Sequence, residues 1–183
     1  LALKRQGICV SRKLVAKLMK QEHLVCQARK KKRYNSYRSN QSNAAGNVLN
    51  RDFTATKPNQ KWVSDVTEFR VGNQKLYLSP IIDLYDHSVI SYSISASPNL
   101  ELTNSSLRKA LHQAQPGPGM IMHTDQGFQY QHHSWKALLA NYNATQSMSR
   151  KGNCHDNAIA ENFFAHLKAE LFYQQAFTNT EDL

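Results

Sequence analysis

Residues 61–96 read KWVSDVTEFRVGNQKLYLSPIIDLYDHSVISYSISA, and this stretch decides the fold. Ile, Val, Leu, Phe and Tyr crowd three runs, 61–71, 75–84 and 87–96, punctuated by Gly72-Asn73 and Asp86-His87. β-Branched and aromatic residues bounded by turn formers predict strands, and connections this short join antiparallel neighbours. A three-stranded meander is expected. Downstream the pattern changes: Leu102, Leu107, Ala110 and Leu111 recur at helical spacing within 100–115, and Pro116-Gly117-Pro118-Gly119 stops the run. Met120 to Thr124 reads as a short strand, 131–141 as a helix carrying Trp135, Leu138 and Leu139, and 144–148 as another strand. A last helix is expected from Asp156-Asn157 to Phe172. The order βββαβαβα predicts an α/β fold, a mixed sheet flanked by helices.

Upstream of 61 the composition shifts. The chain of 183 residues carries a net charge of +10. Residues 1–50 hold twelve Lys and Arg against one acid, Glu22, whereas 51–183 hold eleven against twelve. The basic excess therefore lies in an N-terminal module attached to a near-neutral body, which points to a polyanionic partner, nucleic acid before others. A solubilising tail is the plainer alternative. Within the module, 11–24 (SRKLVAKLMKQEHL) reads as an amphipathic helix capped by Ser11, with Leu14, Val15, Leu18 and Met19 along one stripe. Together with the turn at Gly7 it resembles half of a helix-turn-helix. The run Arg29, Lys30, Lys31, Lys32, Arg33 opens a polar linker with Tyr34 and Tyr37 among the charges. Two domains are expected: the basic module and linker over 1–47, and the α/β body over 48–183.

Some classes are excluded. No apolar run approaches the ~20 residues of a membrane span, and no signal peptide is visible. Cys9, Cys26 and Cys154 are odd in number and scattered, which suits a reduced cytoplasmic protein and argues against a disulfide framework or a cysteine zinc site. The absence of an initiator Met at Leu1 suggests that the natural start lies elsewhere.

Three acids occupy special positions. Asp65 lies in the middle of the first predicted strand, Asp125 follows the end of the fourth, and Glu161 sits in the first turns of the last helix. Ile159, Phe163, Leu167 and Leu171 mark that helix's apolar stripe, which puts Glu161 at its edge, in line with Ala165 and Lys168. Phosphodiester cleavage or transfer needs one oxygen activated and another stabilised as it leaves. Two divalent ions held by carboxylates can do both, and magnesium or manganese prefers such ligands. Spacing alone leaves a plainer reading open, with Asp65 in solvent, Asp125 capping a turn and Glu161 facing a helix dipole.

Longer motifs surround these acids. Trp62-Val63-Ser64-Asp65-Val66-Thr67, His123-Thr124-Asp125-Gln126-Gly127-Phe128-Gln129-Tyr130 and Ser147-Met148-Ser149-Arg150-Lys151-Gly152-Asn153-Cys154-His155-Asp156-Asn157-Ala158, followed by Glu161 and Phe164, resemble bacterial insertion-sequence transposases, specifically the second-frame product of elements with two overlapping frames. Thirty-five residues separate Asp125 from Glu161, the interval of the Asp-Asp-Glu superfamily. The resemblance implies a retroviral-integrase-like core with a ribonuclease H-like fold. It also implies catalysis and metal binding by Asp65, Asp125 and Glu161, with Mg2+ or Mn2+ as two ions. The expected activity is DNA cleavage and strand transfer at mobile-element ends by a homo-oligomer in the bacterial cytoplasm. A ribonuclease H-like nuclease and a non-catalytic DNA-binding remnant are the alternatives. Gln126 and Phe128 stand where such transposases often carry Arg and Ser. Those proteins also continue past the position of Leu183, so the core is expected to be truncated at its C-terminus. DNA contacts are expected at Lys168, Arg150, Lys151 and Asn157 beside the carboxylates, and at Arg29, Lys30, Lys31, Lys32 and Arg33 in the basic run. His123, His132, His133 and His155 lack metal-ligand spacing and read as surface or hydrogen-bonding residues, with His123 also a candidate to orient a ligand or contact phosphate.

Overall fold

The computed structural model describes residues 7, 9–24, 44–151 and 153–183. The chain forms two compact units, Leu1–Arg33 and Tyr34–Leu183. In the first, helix α1 spans Arg12–Gln21, and the Ser11 side chain accepts a hydrogen bond from the Leu14 N–H. Val15 and Met19 are half-buried while Leu14 and Leu18 are exposed, so the expected apolar stripe is only partly covered. Arg29, Lys30, Lys31, Lys32 and Arg33 lie outside the described residues.

The second unit is built on six strands: β1 (Lys61–Ser64), β2 (Thr67–Val71), β3 (Gln74–Asp83), β4 (Val89–Ser95), β5 (Ile121–Thr124) and β6 (Thr145–Met148). β2, β3 and β4 form the predicted antiparallel meander, with Gly72 at a positive φ of 57° in the two-residue turn between β2 and β3. β1 pairs with β3 on one side and runs parallel to β5 on the other, and β5 runs parallel to β6.

One expectation fails here. The single strand over 61–71 is two strands, with Asp65 and Val66 in neither. Both pieces face β3 in the same register, Trp62 opposite Asp83 and Thr67 opposite Leu78. Continued across the gap, that register sets Pro80 opposite Asp65. Proline has no N–H to offer the ladder, and the strand lapses where it would have needed one.

Helices cover both faces. α2 (Leu100–Ala114) begins at Asn99, whose side chain accepts from the Leu102 N–H, and ends at Gln115 in the left-handed region. It packs Leu107, Ala110 and Leu111 against Trp62, Ile81, Met122 and Met148. A short helix α3 (Phe128–Gln131), absent from the sequence reading, brings Tyr130 edge-to-face onto Trp135 of α4 (His133–Asn141), with ring centroids 4.8 Å apart. The opposite face carries Val63, Ile82 and Leu84, packed with Leu49 and with Ala160 of α5 (Ala158–Leu167). The predicted last helix is real but composite: a 3-10 turn at Cys154–Asn157 precedes α5, and a π-helical turn at Lys168–Phe172 follows it. Its buried residues are Ala160 and Phe164, whereas Ile159, Phe163, Leu167 and Leu171 are half-buried.

Residues 44–49 belong to this unit. The Leu49 N–H donates to Ser147 Oγ at 2.9 Å, the Met148 N–H donates to the Gly46 carbonyl at 3.2 Å, and Ala44 and Ala45 pack on the core. The body therefore begins earlier than the expected boundary after residue 47.

Candidate active site at the ends of two parallel strands

β1 and β5 run side by side, Trp62 beside Met122 and Val63 beside His123. Two residues further on, that register sets Asp65 beside Asp125, just past the strand ends. Side chains alternate along a strand. Trp62 and Met122 point toward α2, while Val63 and Ile121 point toward α5. Asp65 and Asp125 follow the second set, so both carboxylates face the helix that carries Glu161.

The pair is held against its own repulsion. Burial first, and then the charge of Asp125, push the Asp65 carboxyl up to about 8, and Glu161 adds to the shift. Burial also raises Asp125. Two backbone donors oppose this: the Val66 N–H to Asp65 Oδ1 at 2.7 Å, and the Gly127 N–H to Asp125 Oδ1 at 2.8 Å. Glu161 is exposed on α5, close enough to Asp65 to act on its ionisation. Among the described residues, no three His, Cys, Asp or Glu side chains close on a single point. The structure thus brings two of the three expected acids together and leaves the third within electrostatic reach.

His123 takes no part as a ligand. It is fully buried, with Nδ1 2.8 Å from Ser147 Oγ and Nε2 3.1 Å from Ser149 Oγ. Burial drives its pKa down to about 4, so the ring is neutral at pH 7 and clips β5 to β6.

The loop between β6 and α5 centres on a residue read from sequence only as a helix start. Asp156 is buried and accepts hydrogen bonds from Asn47 Nδ2 (2.9 Å), Arg51 Nε (2.7 Å), the Arg150 N–H (3.0 Å), Arg150 Nε (2.8 Å) and Arg150 Nη2 (2.9 Å). The Arg150 guanidinium, seconded by Arg51, holds the Asp156 carboxyl far below the usual carboxylate range. Arg150, expected to meet a phosphate, therefore has a protein partner first. Lys151 is exposed on the same loop. Asn157 is buried near enough to Asp65 to favour that carboxylate's charged form, yet its amide atoms have no hydrogen-bond partner among the described residues. Lys168 lies in the π-helical turn; its ammonium donates to the Glu68 carbonyl at 2.7 Å and stands 5.1 Å from the centre of the Phe69 ring. It ties the end of the last helix to β2, rather than simply lining up with Glu161. An Asp six residues after an Arg was the visible trace of the Asp156 cluster, but nothing local pointed to Asn47 or Arg51.

A six-stranded mixed sheet, with helices on both faces and paired aspartates at the ends of adjacent parallel strands, defines a ribonuclease H-like α/β protein. Among solved structures it is similar to the simian T-cell lymphotropic virus intasome in complex with the PP2A regulatory subunit B56 gamma (TM-score 0.60, 22% identity, 71% of this chain and 45% of that chain). It is also similar to the magnesium-bound catalytic core domain of HTLV-2 integrase (TM-score 0.53, 19% identity, 65% of this chain and 74% of that one). The integrase core domain profile matches residues 55–154, and the chain belongs to that family. InsK of insertion sequence IS150 from Escherichia coli K12, a transposase by name, is 47% identical over 183 residues, the whole of this chain. An uncharacterized transposase-like protein of Haemophilus influenzae is 41% identical over 179 residues. The chain spans 64% of the length of InsK and 82% of the Haemophilus protein.

Proposed function

We propose that the chain is the catalytic core of an insertion-sequence transposase that cuts and joins DNA at the ends of a mobile element. The observation that carries this reading is the Asp65–Asp125 pair. Two carboxylates set side by side with raised pKa values are poised to exchange protons for a cation. The donors are oxygens, which suits Mg2+ or Mn2+, and two such ions would supply both activation of the attacking oxygen and stabilisation of the leaving one. Asp65 and Asp125 would hold the metals, with the exposed Glu161 of α5 as the third carboxylate available to them. Water attacks the phosphodiester in line, the P–O3′ bond breaks, and the freed 3′-OH then attacks target DNA as another P–O bond breaks. Asn157, Lys151 and Lys168 flank the path of the strand, and the Arg29–Arg33 run adds sequence-independent attraction to the backbone. Joining two ends calls for a homo-oligomer, and the bacterial cytoplasm is where the DNA lies.

A strand-transfer assay on labelled element-end DNA tests this. Nicking and joined product are expected with Mg2+ or Mn2+ and neither with EDTA; undiminished product in chelator would overturn the mechanism. Cleavage without joining would favour the nuclease alternative.

Gly127 gives a sharper test. A Cβ there would fall 2.9 Å from Asp125 Oδ1 and 2.9 Å from Gln129 Oε1, closer than real contacts allow. Both are side-chain ends, so Gly127→Ala folds but turns the Asp125 carboxylate aside. Misplacement of about 1 Å costs about 100-fold in rate. Expected, then, is a chain with a near-normal melting temperature and about 100-fold slower cleavage. Wild-type rates would show that Asp125 does not need its Gly127 bond.

A further inference from the structure

Asp156 gathers two arginines where one would satisfy it. Arg150 alone supplies two guanidinium bonds and a backbone N–H. Arg51 arrives from 105 residues away and gives only its Nε. Its terminal nitrogens make no bond among the described residues. The carboxylate is sealed, with its side chain 0% exposed, whereas those of Arg51 and Arg150 are 45% and 51% exposed. The cluster is therefore a buried negative charge wearing two half-exposed positive ones, net +1 toward solvent.

The backbone beneath Arg51 is unusual. Asn50 and Arg51 both have positive φ, 45° and 64°, a left-handed pair without glycine. Asparagine tolerates that region, but a long side chain does so at a cost. The turn is pinned by the Asn50 N–H on Asn47 Oδ1 at 2.8 Å and by Asn47 Nδ2 on Asp156 at 2.9 Å. Strain retained by surrounding bonds is a mark of functional positions. A clamp that only closed the loop would not need it, since Arg150 and Asn47 already do so.

The place matters as much as the charge. Arg150 follows Ser149, whose hydroxyl pairs with His123 and whose carbonyl accepts from Gln126 Nε2 at 3.0 Å. His123 and Gln126 bracket Asp125. Asp156 itself precedes Asn157, the buried amide beside Asp65.

We infer that Arg51 and Arg150, both fixed by the buried Asp156 carboxylate, form a preset fork that grips a backbone phosphate of the DNA beside the Asp65–Asp125 site. The inference rests on the DNA-processing reading above. Two guanidinium planes held in place lose little freedom on binding, and guanidinium matches phosphate oxygens with paired donors. Arg51, which no sequence motif marked, is the specific new contact.

The test uses the full chain, fluorescein-labelled duplex DNA in EDTA, and a salt series. Arg51→Gln keeps a polar group near Asp156 and removes the charge. Each lost phosphate contact flattens the slope of log affinity against log salt by about 0.9 on duplex DNA. Arg51→Gln is expected to show that change and to bind about tenfold more weakly at low salt. Arg51→Lys should recover the slope. Arg108→Gln is the control: Arg108 is also exposed and ion-paired, to Glu101, but on α2 across the sheet, and its slope should stay that of the wild type. Should Arg51→Gln melt early, phenylglyoxal modification of the wild-type chain replaces it, with DNA expected to protect Arg51. DNA binding with equal slopes for Arg51→Gln and Arg108→Gln, or Arg51 modified alike with and without DNA, overturns the fork and leaves the active-site reading standing. A wild-type chain that neither binds nor cuts DNA removes both.

Discussion

Asp65→Asn, in chelator, is expected to melt at a higher temperature than the wild-type chain and, with Mg2+, to cut no DNA. The two effects share a cause. Burial and Asp125 raise the Asp65 carboxyl from its ordinary 3.8 to about 8, so the folded chain binds a proton more tightly there than the unfolded chain does. Stability from this group is greatest below pH 3.8, falls as pH rises through the interval up to about 8, and is level beyond. At pH 7.5 the wild type carries most of that penalty. Asn removes it at almost constant shape, and a gain on the order of 5 °C is expected. Catalysis moves the other way, because on the two-ion mechanism proposed above the substitution would remove a ligand charge; a fall on the order of 10³-fold or more is expected. Calorimetry with and without Mg2+ checks the link: the ion should raise the wild-type melting temperature and leave Asp65→Asn nearly unmoved. If Asp65→Asn melts lower in EDTA, or gains as much from Mg2+ as the wild type, the aspartate pair is not a metal site. Asp125→Asn should behave in the same direction.

Asp156→Ala should do the reverse, harming stability before chemistry. It removes the acceptor for Asn47, Arg51 and Arg150, and with it the bonds joining the lead-in segment, the loop after β6 and the turn that starts α5. Removing one partner of a buried ion pair costs about 3–5 kcal/mol. Both arginines are half in water and can be rehydrated, which brings the expectation to about 2–3 kcal/mol, or a drop of roughly 5–10 °C. The pH dependence has a definite sign. Asp156 is held far below its ordinary 3.8, so its contribution is present above that pH and disappears as pH falls below it. The wild type should therefore lose stability in acid more steeply than Asp156→Ala does. Parallel acid limbs in thermal melts of the two would mean that the cluster contributes nothing to folding.

These two residues also mark how far sequence reached. The meander and the alternation after it were legible because they depend on local patterns, such as the aliphatic runs of β3 and β4 and the Pro-Gly stop after α2. Asp65 and Asp125 could be singled out by their motifs, but not their adjacency, which arises from the register of β1 on β5. The lapse at Asp65 was hidden because its cause, Pro80, is a cross-strand neighbour. Asp156 was illegible for the same reason, since its partners Asn47 and Arg51 stand 109 and 105 residues away. The stripe on the last helix misplaced the buried face by one residue, Ile159 and Phe163 standing in for Ala160 and Phe164. A small residue at the closest approach to the sheet carries less hydrophobic signal than its larger neighbours.

The side-by-side setting of β1 and β5 has a consequence for how such a chain can vary in length. One residue gained or lost between Lys61 and Asp65 would turn the aspartate to the α2 face, and the same change between Ile121 and Asp125 would do so for its partner. Neither defect could be absorbed locally, since both strands are locked on two sides. The turn at Gly117-Pro118, by contrast, enters β5 from the end away from the carboxylates, and both residues are exposed. Lengthening it moves no registered pair. Insertions should therefore accumulate before β5 and be purged within it, so that the spacing from Asp65 to Asp125 is free to drift among descendants while the few residues leading into each aspartate keep a fixed count.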